Sequence, residues 1–226
     1  MSELPLVPAT NTDPDNVAVA RFLAATTAEG PGERTAVWVQ GCTIRCQGCF
    51  NPHLWAFRGG AMTPVEALAA RVLAANTTGV TFLGGEPFDQ AAALAKAAAA
   101  VQAAGRSVMT FTGYTTGQLH EAEAAGRSDV AALLAATDLL VAGPYVAGKV
   151  DTARPWAGST NQEFVLLSDR FPHLLDDLTT TPDRVEVTVG ADGRVAVNGW
   201  AELDALDTLL AGLGQRRRGE SEPCTT

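Results

Sequence analysis

Short β-branched runs alternate along the chain with longer stretches rich in alanine and leucine, a pattern of strands separated by helices. Val17 to Ala24 and Thr35 to Gln40 read as two strands flanking a Gly30-Pro31-Gly32 turn. Thr63 is a suitable N-cap, Pro64 then takes the first helical position and Glu66 the third, which predicts a helix from Pro64 to about Ala75. Gly79 to Leu83 reads as a buried strand, Phe88 to Ala104 as a helix that Gly105 terminates, and Ser107 to Thr112 as the next strand. A helical stretch from Thr116 through Ala136 is interrupted near Gly126, where Ser128 can cap a second segment. Asp138 to Ala142 and Glu163 to Leu167 complete the set of strands. This alternation predicts an α/β fold with a mainly parallel sheet and helices outside it.

The pattern changes near the C-terminus. Arg184 to Val189 and Arg194 to Asn198 alternate apolar with polar residues around Gly190-Ala191-Asp192-Gly193, a hairpin signal, and Ala201 to Leu213 reads as a short amphipathic helix. Thr179 to Pro182 is the expected linker. The expected organisation is a body over 1–178 and, over 179–226, a hairpin-and-helix appendage packed on it and ending in a disordered tail.

Composition fits a compact soluble domain: 226 residues, 46% hydrophobic and 18% charged, with mean hydropathy +0.07. The Ala-rich segment from Ala91 to Ala104 is broken by Lys96 and Gln102, so no membrane span is expected. The N-terminal segment has no apolar core of the kind a signal peptide carries, which predicts a cytoplasmic, reducing location and disfavours disulfides. A net charge of −9 opposes phosphate-backbone binding, so nucleic acid is not an expected partner.

The candidate chemistry begins at Cys42, Cys46 and Cys49, a CxxxCxxC array directly after a strand. Structural zinc asks for four ligands, and a fully protein-ligated 4Fe-4S cubane asks for four thiolates. Three thiolates leave one iron of a cluster open to a small molecule. The zinc alternative would draw on His53, the one local candidate for a fourth ligand, while Cys224 sits in a polar tail after Arg216 to Arg218. Ligands in parallel α/β folds collect at the C-terminal ends of strands. Gly84-Gly85-Glu86-Pro87 and Thr112-Gly113-Tyr114 follow strands just as the cysteines do, so the three runs are expected at one mouth. There the glycines let backbone approach a ligand, and Glu86 can accept from an ammonium. Trp38 is expected to be packing, Phe50 and Trp55 can shield a cluster, and Tyr145, Lys149, Asp151 and Arg154 lie where a substrate could be met.

These runs resemble the radical S-adenosylmethionine enzymes, most closely the small activating enzymes of glycyl-radical proteins. The resemblance covers about Val19 to Gln162 and rests on Gly30-Pro31-Gly32, Gly41 through Asn51, Gly84 to Pro87, Thr112 to Tyr114, Asp138 to Tyr145, and Trp156, Gly158, Ser159, Asn161 and Gln162. It implies a partial (β/α) barrel in which Cys42, Cys46 and Cys49 hold three irons of a 4Fe-4S cluster and S-adenosylmethionine chelates the fourth. Gly84, Gly85 and Glu86 would hold the methionine amino end, and Thr112, Gly113 and Tyr114 would line the cofactor beyond it. Reduction of the cluster would release a 5'-deoxyadenosyl radical that abstracts hydrogen. No side chain is assigned as catalytic; the protein would orient the cofactors and exclude water. The implied partners are a protein or peptide substrate, a glycyl-radical enzyme among them, and an electron donor such as a flavodoxin or ferredoxin. Two departures stand out: Ala142 occupies a position where such proteins often carry Asp, and the chain continues past Gln162 where compact reductase activators end. Radical modification of a ribosomally made peptide or small molecule, and a non-catalytic iron–sulfur or zinc protein, are the alternatives.

Overall fold

The computed structural model describes residues 13–176, 178–181, 184–189, 193, 195–199, 208 and 211. Seven strands form one sheet: β1 (Asn16–Thr26), β2 (Arg34–Val39), β3 (Ala61–Pro64), β4 (Gly79–Gly84), β5 (Ser107–Thr112), β6 (Leu139–Ala142) and β7 (Glu163–Leu166), in the order β3-β1-β2-β4-β5-β6-β7. β8 (Val185–Val189) and β9 (Val195–Gly199) form the expected hairpin. The helices are α1 (Val65–Ala74), α2 (Ala91–Ala103), α3 (Thr116–Ala124) and α4 (Ser128–Ala135).

The α/β expectation holds, but the sheet is mixed rather than mainly parallel. β2, β4, β5 and β6 pair in parallel, whereas β1 pairs antiparallel with β2 and β3, and β7 pairs antiparallel with β6. The connections explain the difference. A parallel neighbour needs a crossover, and α1, α2 and α3–α4 supply them in the centre. β1 instead turns back to β2 through residues 27–33, and no α-helix intervenes between β6 and β7. The described pairing ends at β3 and β7, so closure toward a barrel is not part of what the strand pairing establishes.

The helix-side core contains Leu68, Val72, Leu94, Val101, Leu119 and Leu133 packed on sheet residues such as Val37, Val80 and Phe82. Every residue of β2 is buried, as a strand covered on both faces requires. The opposite face carries Trp38 and Leu83 in one cluster and Met109, Leu139 and Val141 in another, with Phe111 packed against both. Trp38 thus has the expected packing role, although it also lines a cavity described below.

Three helix starts differ from those expected: the helix expected from Phe88 begins at Ala91, because residues 87–90 form a separate 3-10 turn. The α1 N-cap is Pro64 rather than Thr63, because residues 61–64 pair with β1 and hold Thr63 in a strand opposite Val17. Ser128 lies inside α4, whose N-cap is Arg127. The expected helix over Ala201 to Leu213 falls, apart from Thr208 and Ala211, outside the described residues.

One residue at the foot of the sheet organises the opposite end from the cysteine loop. Arg34 has no exposed surface. Its Nε donates to Thr81 Oγ1 (2.9 Å), Nη1 to Ser107 Oγ (2.8 Å) and Nη2 to the Val80 carbonyl (2.6 Å), tying β2 to β4 and β5. Burial pulls its guanidinium down to about 10, still charged at neutral pH.

The hairpin is fastened to the body by polar contacts. Glu186 accepts from Thr26 Oγ1 (2.6 Å), the Thr27 amide (2.7 Å) and Thr27 Oγ1 (2.9 Å). The Gly199 amide donates to Glu29 Oε1 (2.8 Å), and Arg21 Nη1 donates to the Val197 carbonyl (3.2 Å).

Candidate active site

Because β2, β4, β5 and β6 run parallel, the segments leaving them emerge along one edge of the sheet. The cysteine loop leaves β2 and is anchored at once: the Gly41 amide donates to the Leu54 carbonyl (2.8 Å) and the Cys42 amide to that of Trp55 (3.2 Å). Arg45 and Gly48 have φ of 53° and 79°, and these left-handed turns fold the loop back so that the Cys49 amide reaches the Cys46 carbonyl (3.1 Å). Cys42 is buried, and Cys46 and Cys49 are half-buried. Burial pushes the Cys42 thiol up to about 12 and raises that of Cys46, so both are neutral thiols at pH 7; a bound metal would favour their thiolates.

The Gly84–Pro87 loop is locked onto the cysteine loop. The Gly85 amide donates to the Val39 carbonyl and the Glu86 amide to that of Gly41, both at 2.8 Å. A Cβ at Gly85 would overlap the Gly41 carbonyl oxygen, and one at Gly84 would lie 2.7 Å from Trp38 Cα. These glycines therefore let the loop after β4 sit directly against β2 and the cysteine loop, a role separate from approach to a ligand.

Glu86 is 1% exposed and joins this loop to the one after β5. Its Oε1 accepts from the Phe88 amide (2.9 Å) and Thr112 Oγ1 (2.8 Å), and its Oε2 from the Gly113 amide (2.8 Å). Burial, reinforced by the charge of Asp89, pushes its carboxyl up to about 8. An arriving ammonium would favour the ionised form. Without ligand, the folded protein keeps a proton that the unfolded chain releases between about 4.5 and 8, so stability falls as pH rises through that window. Denaturation midpoints between pH 5 and 8 are expected to fall more steeply for the parent protein than for the Glu86→Gln variant.

Asp89, Thr43 and Gln90 were not singled out by the sequence, yet they complete the frame. Asp89 accepts from the Thr43 amide (2.8 Å), Thr43 Oγ1 (2.9 Å) and Tyr114 Oη (3.2 Å). Gln90 accepts from the Ala18 amide (2.7 Å) and donates to the Gln40 carbonyl (2.9 Å). For Asp89 and Gln90 the available signal is a polar pair one residue after GGEP, at the head of an otherwise apolar helical stretch. Tyr114 is 2% exposed in the helix-side core, and its hydroxyl meets Thr43 Oγ1 (2.6 Å). It thus supports the cysteine loop from behind.

A cavity of about 150 Å³ opens among these segments, lined by Cys42, Cys46, Cys49, Gly84, Gly85, Glu86, Thr112 and Gly113, with Trp55 and Tyr145 also on its wall. The structure thus brings the three cysteines together with five of the six residues expected to bind cofactor. A second cavity of about 430 Å³ shares Cys46, Cys49, Gly84 and Tyr145 and extends to Arg21, Glu29, Trp38 and the hairpin residues Val197 to Gly199. Asp151 and Arg154 form an ion pair (2.6 Å), and neither they nor Lys149 line these cavities.

Three thiols of one loop share the 150 Å³ cavity, a donor set that suits a cluster in which each thiolate takes its own iron. His53 is exposed in the turn Pro52–Leu54 and does not complete a zinc set; Cys224 lies outside the described residues. Trp55 Nε1 is buried without a hydrogen-bond partner among the described residues, an orphan donor on the wall that the cysteines share.

Residues 28–165 match the family model of the 4Fe-4S single cluster domain. The anaerobic ribonucleoside-triphosphate reductase-activating protein of Vibrio cholerae is 28% identical over 143 residues, covering 59% of this chain and 87% of that protein. Its counterpart in Pasteurella multocida is 30% identical over the same shares. The pyruvate formate-lyase-activating enzyme of Clostridium pasteurianum is 42% identical over 64 residues, 26% of this chain and 27% of that enzyme. Fold, cysteine loop and glycine loop together define an iron–sulfur enzyme that works with S-adenosylmethionine. The chain belongs to the 4Fe-4S single cluster domain family, among the radical S-adenosylmethionine enzymes of the glycyl-radical-activating type. Among the described residues no helix is long and apolar enough to cross a membrane.

Proposed function

We propose that this enzyme acts in the cytoplasm, taking a hydrogen atom from a protein or peptide substrate at a backbone glycine and thereby activating a glycyl-radical enzyme. The supporting observation is the shared 150 Å³ cavity, where three loops leaving parallel strands meet. Cys42, Cys46 and Cys49 would hold three irons, leaving the fourth to S-adenosylmethionine. Gly84, Gly85 and Glu86 would receive its methionine ammonium, with Glu86 giving up its proton as the cation arrives. Thr112 and Gly113 would line the cofactor beyond, with Tyr114 holding Thr43 and Asp89 behind them. Bound together, cluster and S-adenosylmethionine supply a 5'-deoxyadenosyl radical once an electron arrives, here from a flavodoxin or ferredoxin. Trp38, Phe111 and Trp156 on the larger cavity's wall would exclude water, and the hairpin's Val197 to Gly199 would face the substrate.

A second reading, modification of a ribosomally made peptide, draws support from that hairpin, which lies outside the matched 28–165 segment. The deciding experiment supplies the reduced, reconstituted enzyme with a glycyl-radical protein from the same genome, produced with α-deuterated glycine. Deuterium in the released 5'-deoxyadenosine, with a glycyl signal by electron paramagnetic resonance, is the expected result. Cofactor cleavage without deuterium transfer would reject this partner class and favour the peptide reading.

A further inference from the structure

The frame around Trp55 leaves one polar group without a partner. The segment after the cysteines is pinned by the Cys42 amide to the Trp55 carbonyl (3.2 Å) and by Gln40 Nε2 to the Ala56 carbonyl (2.6 Å). Trp55's own amide donates to Pro52 (3.2 Å), so its backbone is committed. The indole is a donor only, and its Nε1 is shielded from solvent with no acceptor among the described residues. A buried donor left unpaired is destabilising, and interiors rarely retain one without a reason.

The cavity that Trp55 shares with Cys42, Cys46 and Cys49 offers such a reason. We propose that the Trp55 indole N–H donates a hydrogen bond to sulfur at the cluster site, a cysteine Sγ or a cluster sulfide, and so helps set how readily the cluster accepts an electron. Hydrogen bonds to the sulfurs are among the determinants of cluster potential. Charge added on reduction spreads onto sulfur, so a donor there stabilises the reduced form more than the oxidised one. Backbone amides already act on all three thiols: that of Asn51 donates to Cys49 Sγ (3.4 Å), those of Ile44 and Arg45 hydrogen-bond Cys42, and that of Tyr145 hydrogen-bonds Cys46. Trp55 would be the side chain that joins them, and it is a positioning and tuning residue rather than a catalytic one.

This inference rests on the cluster reading above, and its test separates the two. The protein and its Trp55→Phe variant are reconstituted anaerobically, assayed for iron, and titrated potentiometrically with the reduced cluster read by electron paramagnetic resonance. The variant is expected to load iron and to become harder to reduce by about tenfold in the oxidised-to-reduced ratio, about 59 mV for a one-electron couple. An unchanged or higher potential in the loaded variant would overturn the assignment, whereas absence of iron from the parent protein would count against the cluster itself. Should the phenylalanine variant fail to load, nitrogen-15 indole resonances of the parent protein decide instead. One indole is expected to shift on cluster insertion, and four unperturbed indoles would overturn the proposal.

Discussion

Replacing Gly85 by alanine is expected to cost most of the S-adenosylmethionine cleavage and iron retention, although the change adds a single methyl group. That methyl would overlap the Gly41 carbonyl oxygen, which also accepts the Glu86 amide. The two loops must then separate, and with them go the placement of Cys42 and the Glu86 bridge to Thr112 and Gly113. Gly41 cannot retreat freely, because its φ is 97° and its amide is held by Leu54. Overpacking of this kind costs about 1–3 kcal/mol in stability, yet a displaced loop should lower activity by about a hundredfold or more. Iron content and 5'-deoxyadenosine yield, compared with a far-ultraviolet circular dichroism spectrum, check this. Full activity with retained fold would contradict it.

The second large effect lies at the other end of the strands. Arg34→Ala should destabilise the protein by about 3 kcal/mol or more, since it empties a fully buried site and removes the charged donors to the Val80 carbonyl and the Ser107 hydroxyl. Arg34→Lys is expected to rescue little, because one ammonium cannot reproduce donors on three sides reaching Thr81, Ser107 and Val80. Guanidinium denaturation midpoints of both variants measure the effect. The carbonyl of Glu29 accepts from Thr81 Oγ1 (2.7 Å) and its side chain from Gly199, so loosening at the foot should reach the hairpin.

The central strands were legible because each is a short apolar run closed by a glycine or by polar turn residues. The strand expected over Ser107–Thr112 has those boundaries in the structure. The sheet's mixed character was less accessible: Asn16–Thr26 reads the same whichever way it pairs, and only the length of the connection to β2 marks it as a hairpin. The site was legible through its spacing, which put cysteines and glycines after successive strands. The roles of Gly85 and Glu86 as braces were not, because a loop's contacts with another loop leave no periodic trace. Arg34 illustrates the same gap: a charged residue at the start of a strand reads as exposed, and only the convergence of three strand ends reveals its burial. In sequence Trp55 reads as a shield, while the orphan state of its N–H is visible only in three dimensions.

Cys42, Cys46, Cys49 and Gly84 to Glu86 are expected to form one working site. The most direct measurement is 5'-deoxyadenosine and methionine release from S-adenosylmethionine by the anaerobically reconstituted, reduced protein, beside its Cys46→Ala variant. We predict stoichiometric or greater release by the parent protein and a loss of about a thousandfold or more in the variant. A parent protein carrying a full complement of iron and labile sulfide, yet releasing no 5'-deoxyadenosine, would contradict the account.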